Sequence, residues 1–264
     1  MTFIGLALAV ASAAAIGGGY ALQHASAAAL PPLSLRRPLH SLALLFRSGR
    51  WSTGFFVGIG GWVFYVVALR IAPLSVVQAA AAGGIVVLAV GGGRLAVHER
   101  LGVALALAGL LLLGLSLGSH TASSRGSLLA VALWIGGSIV VAAAAAAVVP
   151  GGAGLGTAAG ILYAAGDVGT KIAVVGGVRL WFVPALLACH GLAFVAFQLA
   201  LQRGRRLATA GVAVLWTNAL PIAGGMLLFA EGSGGAMRLT AFALVLIAAA
   251  ALARATAEPE PARA

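Results

Sequence analysis

The sequence predicts an all-α, polytopic membrane protein of about nine transmembrane helices, and three observations predict it. The 264 residues are 62% hydrophobic and 8% charged, with a mean hydropathy of +1.10, whereas a soluble domain carries about a quarter charged residues to cover its surface. Apolar runs of roughly 18 residues or more, enough to cross about 30 Å of hydrocarbon as a helix, recur from end to end. Basic residues stand singly or in twos and threes between those runs, so the net charge of +11 reads as topological and not as a nucleic-acid face.

Segments bounded by Arg, Gly and Pro give the spans 2-22, 52-70, 73-93, 101-118, 127-149, 153-176, 180-201, 207-229 and 237-254. The opening "MTFIGLALAVASAAAIGGGYALQHASA" has the small residues of a signal peptide but no basic start, and further spans follow, so it is read as an uncleaved first helix. The stretch 23-50, with "LPPLSLRRPLHSLALLFRSGR", holds no apolar part long enough to span and is read as a basic loop with room for a short surface helix. Residues 1-118 thus form a first half with four spans, and 127-254 a second half with five. The last stretch, 255-264, "ATAEPEPARA", reads as a disordered tail.

Orientation follows from counting. With the N-terminus outside, the inner side receives Arg36, Arg37, Arg47, Arg50, Arg94, Arg100, Arg203, Arg205, Arg206, Arg254 and Arg263, and the outer side Arg70, Arg125, Arg179 and Arg238. Eleven against four is a strong positive-inside bias. The expected topology is N outside, C inside, as a multi-pass protein of the cell membrane, the cytoplasmic membrane in a prokaryote.

The chain also repeats itself. "FYVVALRIAPLSVVQAA" leads through an apolar span to "LAVHERL", and "AFQLALQRGRRLATAGVAV" leads through another to "LLFAEGS". Ala68 and Leu69 precede Glu99 by 31 and 30 residues; Ala200 and Leu201 precede Glu231 by the same distances, so the halves superpose at an offset of 132. In each copy the glutamate marks the end of the helix that runs back. The copies begin five helices apart, and an odd separation orients them oppositely in the membrane. Inverted repeats are a signature of secondary transporters, with the substrate site near the midplane between the halves.

These residues carry a family likeness. "ALRIAPLSVVQ" followed by "HERLGVALALAGLLLLG", and "FQLALQRG" followed by "LPIAGGMLLFAEG", resemble the drug/metabolite transporter superfamily, in particular its EamA-like and NIPA-like branches, from about residue 4 to 252. The resemblance implies two inverted five-helix repeats, ten helices in most members and nine in NIPA-like ones. The missing helix falls at 23-50. It also implies transport of amino acids, nucleotide sugars, metabolites or drugs, and in the NIPA-like branch of magnesium.

Candidate site residues are the few polar groups inside spans. In "AAGDVGTKIAV", Asp167 and Lys171 lie four apart on one helix face, in the favourable order for an acid-base pair. Gly152, Gly156 and Gly160 form a tandem G-x-x-x-G on the same stripe, which should therefore face protein and turn the pair inward. Two roles are open for the pair, substrate binding or proton coupling on one hand and helix packing on the other. Tyr65, Gln78, His190, Gln198, Thr217 and Asn218 complete a mildly polar pathway, with Pro221 freeing backbone carbonyls beside Thr217 and Asn218. Glu99 and Glu231, at span ends, read as interfacial or gating.

Other chemistries are disfavoured. Cys189 is the one cysteine, so no disulfide framework is available, and its neighbour His190 does not share its helix face. "GLSLG" at 114 to 118, near His120, lacks the strand and helix of a nucleophile elbow. No H-E-x-x-H, P-loop or dinucleotide fingerprint occurs, and no metal, no cofactor and no enzyme activity are expected. The expected partners are a small-molecule substrate, membrane lipids and a coupling proton, with no nucleic acid and with a homodimer compatible. The leading function is a secondary transporter of a small organic metabolite or drug, working by alternating access. The alternatives are a divalent-cation (magnesium) transporter and a non-transport packing or assembly subunit.

Overall fold

The computed structural model describes residues 2–27, 29–33, 38–72, 77, 81, 96–115, 126–204, 207–229 and 235–254. Among them there is no strand. The helices are α1 (Thr2–Ala27), α2 (Pro38–Arg47), α3 (Gly49–Ile71), α4 (Val97–Leu115), α5 (Leu128–Val148), α6 (Gly151–Ala173), α7 (Val183–Arg203), α8 (Val212–Phe229) and α9 (Ala236–Arg254). A 3₁₀ turn, Gly177–Phe182, leads into α7, and a π turn, Leu207–Gly211, leads into α8.

Among the described residues, five stretches are long and apolar enough to cross a membrane: Ile4–Ala27, Gly49–Ile71, Leu128–Val148, Gly177–Arg203 and Thr209–Phe229. The all-helical class is thus observed, together with several membrane-crossing candidates. The expected span 73-93 lies almost entirely outside the described residues, as do Gln78, Glu231, the "GLSLG" serine, His120 and the tail.

Local chemistry sets the helix ends. Ser48 accepts from the Trp51 N–H at 3.3 Å and Ser127 from the Ala130 N–H at 3.4 Å, each satisfying one of the donors that a helix start leaves free. At the far end of α6 the chain reverses through Gly176 (φ 81°) and Gly177 (φ 64°), a left-handed pair that side-chain-bearing residues rarely adopt.

Of the helix boundaries that differ from the sequence reading, two bear on the site and its ends. α1 continues to Ala27, past residue 22, because its last turn is held by polar contacts described below. Glu99 does not close the preceding helix. It sits in the first turn of α4 and its carboxylate accepts from the Ala96 N–H at 2.9 Å, the returning half of a capping box, so its position serves the start of a helix.

The bundle has an apolar exterior. On α5 the buried residues Val131, Ile135 and Ala142 form a narrow stripe, while Leu129, Leu133, Val140 and Val141 are exposed. On α3, Phe56, Val57, Val63 and Phe64 are exposed likewise. Aliphatic and aromatic groups facing outward all along a helix match a hydrocarbon surrounding.

α6 is the helix that α5, α7 and α8 pack around, and nearly its whole length is buried. The Gly152, Gly156, Gly160 stripe lies against Gly204, Thr209, Ala213 and Trp216: a Cβ on Gly156 would come 2.6 Å from the Thr209 carbonyl oxygen, and one on Gly160 about as close to that of Ala213. In lipid, where no hydrophobic force drives helices together, such backbone approach maximises van der Waals contact. α1 packs directly on α3, whereas α6 stands between α5 and α7. α4 pairs with α9, and a Cβ on Gly109 would meet the Ala241 carbonyl at 3.1 Å.

The Gly156→Leu variant is expected to lose about 1–3 kcal/mol of stability through overpacking, read as a lower midpoint of thermal unfolding in detergent. Gly137→Leu on α5, where a Cβ meets nothing within 4 Å, should leave the midpoint unchanged.

Candidate functional site: a central cavity with one buried carboxylate

α1, α3, α6, α7 and α8 enclose a cavity of about 630 Å³, within the range of small-molecule sites. Its wall is mostly apolar and aromatic, with Tyr20, Phe55, Trp62, Tyr163 and Phe194 among the lining residues, and Leu42 and Phe46 of α2 border it. Asp167 is the only acidic side chain among the described lining residues, and no lysine or arginine lies among them.

Asp167 is held by its surroundings. It is 5% exposed, and its Oδ1 lies 3.6 Å from Nε2 of His190 on α7. The imidazole reaches it because residue 166 is glycine; any Cβ there would overlap the ring. Nδ1 of His190 lies 2.9 Å from the Leu186 carbonyl oxygen. A carbonyl only accepts, so Nδ1 carries the hydrogen, and Nε2 is left facing a carboxylate oxygen. Two lone pairs would then oppose each other unless a proton sits on one of them. The pair therefore has a place for one exchangeable proton. Tyr20 of α1 and Tyr163 of α6 line the same cavity.

Three buried polar atoms on lining residues lack a hydrogen-bond partner: Oγ of Ser12, Nε1 of Trp62 and Oδ1 of Asn218. Each costs about 1–3 kcal/mol while unsatisfied, and an occupant of the cavity could offset that. Asn218 donates from Nδ2 to the Val214 carbonyl at 2.7 Å. Thr217 donates to the Gly160 carbonyl at 3.4 Å, joining α8 to α6. Pro221 lies inside α8, so the Thr217 carbonyl has no helical N–H to receive.

The other sequence candidates are distributed as follows. Tyr65 is buried and lines the cavity. Lys171 is half-buried, one turn from Asp167, and is not a lining residue; the ionic contact observed for Asp167 is with His190. Gln198 is not in the cavity wall. It belongs to a buried chain at one end of the bundle, accepting from Trp51 Nε1 at 3.0 Å and donating to Gln23 Oε1 at 2.8 Å. Gln202, one turn on, donates to the carbonyls of Ala27 and Pro31 and accepts from the Leu33 N–H at 2.9 Å. His24 donates to the Gly204 carbonyl at 3.3 Å. Together these bonds latch the end of α1 and the start of α3 to the end of α7, below the cavity.

Gln23, Trp51 and Gln202 were not singled out from sequence, nor were Ser12, Tyr20, Trp62 and Tyr163. For Tyr163 a signal existed, since it stands four residues before Asp167 and thus on its face. For the latch there was none, because its partners are 147 and 175 residues apart.

Replacing Gln23 or Gln198 by Leu should each cost about 1–2 kcal/mol in an unfolding titration in mixed micelles, and the double variant should lose less than the sum. Strict additivity would show that the two side chains do not act together.

Comparison with protein-family profiles, with curated proteins and with solved structures finds no match to this chain.

Proposed function

We propose that the chain is a secondary transporter that carries a small organic solute across the membrane by alternating access, with the central cavity as its site. The observation that carries this reading is the wall of that cavity: α1 and α3 of the first half face α6, α7 and α8 of the second, around a buried carboxylate. A cavity shared between halves can be opened to one side or the other by rocking one half against the other.

The proposed architecture is nine spans in two inverted repeats, N outside and C inside. Supporting it is the offset of 132, under which α3 corresponds to α7 and α4 to part of α9. A two-fold axis through the α4–α9 contact brings a residue beside its own counterpart, and Gly109 lies against Ala241, with 241 − 109 = 132. The polar latch then falls at the inner end, beside Arg47, Arg50 and Arg203, and the conformation is one closed toward that side.

A magnesium pathway draws less support. Magnesium favours several oxygen ligands in octahedral order, whereas one carboxylate stands among the described lining residues and no group of three or more His, Cys, Asp or Glu that could hold a metal occurs among the described residues.

The test is uptake into vesicles reconstituted with the full chain, against protein-free vesicles, over a panel of organic cations, amino acids, carboxylates, sugars and magnesium. Saturable uptake of at least one organic solute is expected. Asp167→Asn should reduce it about tenfold or more, the equivalent of losing one interaction of about 1.4 kcal/mol, while still unfolding cooperatively. No solute moving faster than in protein-free vesicles would refute transport.

A further inference from the structure

The cavity selects by charge and by shape. An anion would meet Asp167 with no lysine or arginine among the described lining residues to receive it. A neutral solute could donate a hydrogen bond to the carboxylate but would gain no charge attraction. A cation with an apolar body finds a carboxylate, aromatic faces at Tyr20, Trp62 and Tyr163, and an unfilled acceptor at Oδ1 of Asn218. Ring faces attract a desolvated cation through the negative side of their quadrupole. Ile59 of α3 and Leu187 of α7 line the cavity and keep accessible apolar surface, so an apolar body is accommodated at the wall as well.

The proton between Asp167 and His190 adds a constraint. With it, the pair is neutral; without it, the pair carries one negative charge, which is costly away from water. We propose that the substrate is a monovalent organic cation, an amine with an apolar body, and that it exchanges for this proton. One positive charge enters as one proton leaves to solvent, so the net charge of the cavity is unchanged. The groups around the exchange are His190 on α7, Tyr20 on α1, Tyr65 on α3, and Tyr163 and Lys171 on α6 itself; α5 and α8 carry no titratable side chain. The proposal rests on the transporter reading for its physiological sense, and its test does not depend on flux.

The experiment is binding to the full chain in detergent by titration calorimetry, using four probes of one shape: 4-phenylbutylamine, 4-phenylbutyltrimethylammonium, 4-phenylbutanol and 4-phenylbutyrate. Both cations should bind, the amine more tightly because its N–H groups can donate, and the alcohol and carboxylate should not. Between pH 6 and 8, where the cations keep their charge, their Kd should fall by up to about tenfold per unit of pH, as one released proton requires, and buffers of different ionisation enthalpy should report about one proton released per cation. Asp167→Glu should keep the pH dependence and Asp167→Asn should lose both binding and release. Should Asp167→Asn fail to fold, Asp167→Glu and the proton count decide. Equal binding of alcohol and amine, preferred binding of the carboxylate, binding without proton release, or no probe bound would each overturn the proposal. The two readings part cleanly: vesicle uptake of a solute of another class would leave transport standing without the amine site, and amine binding with no uptake of any solute would leave the site without transport.

Discussion

A carboxylate buried among apolar helices must be kept from lipid and given polar company, and the arrangement of α6 follows from that requirement. An ionisable group facing hydrocarbon costs at least about 2.5 kcal/mol, so Asp167 needs a helix surrounded by protein. The glycine stripe supplies this by letting α6 sit backbone to backbone against Gly204, Thr209 and Ala213, while Gly166 leaves room for the His190 ring on another face. The same closeness sets Thr217 against Gly160, and Tyr163 stands one turn from the carboxylate on the same helix. Enlarging one of these glycines would therefore disturb the site without altering a single polar group in it.

The two halves solve the packing problem differently. Under the proposed offset, α6 corresponds to residues 19–41, since 151 − 132 = 19 and 173 − 132 = 41. There the described residues include the last turns of α1 and the beginning of α2. With no helix between them, α1 and α3 pack directly, and the ten-residue α2 contributes Leu42 and Phe46 to the border of the cavity. The end that lacks a helix is also the end where side chains bond the halves across Gln23, Trp51, Gln198 and Gln202. Polar bonds can be exchanged with water when a gate opens, whereas an interlocked apolar seam cannot. In the proposed transport cycle, that difference would make the latched end the one that opens and the α4–α9 seam the pivot.

Composition and periodicity made the helical class readable, because a chain with so few charges has no soluble alternative. The inward-facing stripe of Gly152, Gly156 and Gly160 was readable too, since it depends on spacing within a single helix. What spacing within one helix cannot supply is a partner on another. Asp167 was paired with Lys171 because they are four residues apart, yet its close ionic neighbour is His190, 23 residues on, brought near by the reversal at Gly176 and Gly177. Glu99 was read as the end of one helix and instead begins the next, a distinction that turns on one hydrogen bond to Ala96. The aromatic wall of the cavity was hidden for another reason: Tyr20, Trp62 and Phe194 are unremarkable residues in apolar spans until three helices bring their rings around the same space.

The claim on which the rest depends is that one cavity is reached from both sides of the membrane in turn, and access can be measured at a single position. In a Cys189→Ala background, Ser12→Cys places the one thiol on the cavity wall. A membrane-impermeant thiol reagent would be added to sealed vesicles of known orientation, from the inside in one sample and from the outside in the other. The account predicts labelling from each side, with Gln198→Leu accelerating the reaction from the latched end and slowing it from the other. A thiol that reacts from one side alone, at a rate unaffected by the latch, would describe a fixed pocket and contradict alternating access.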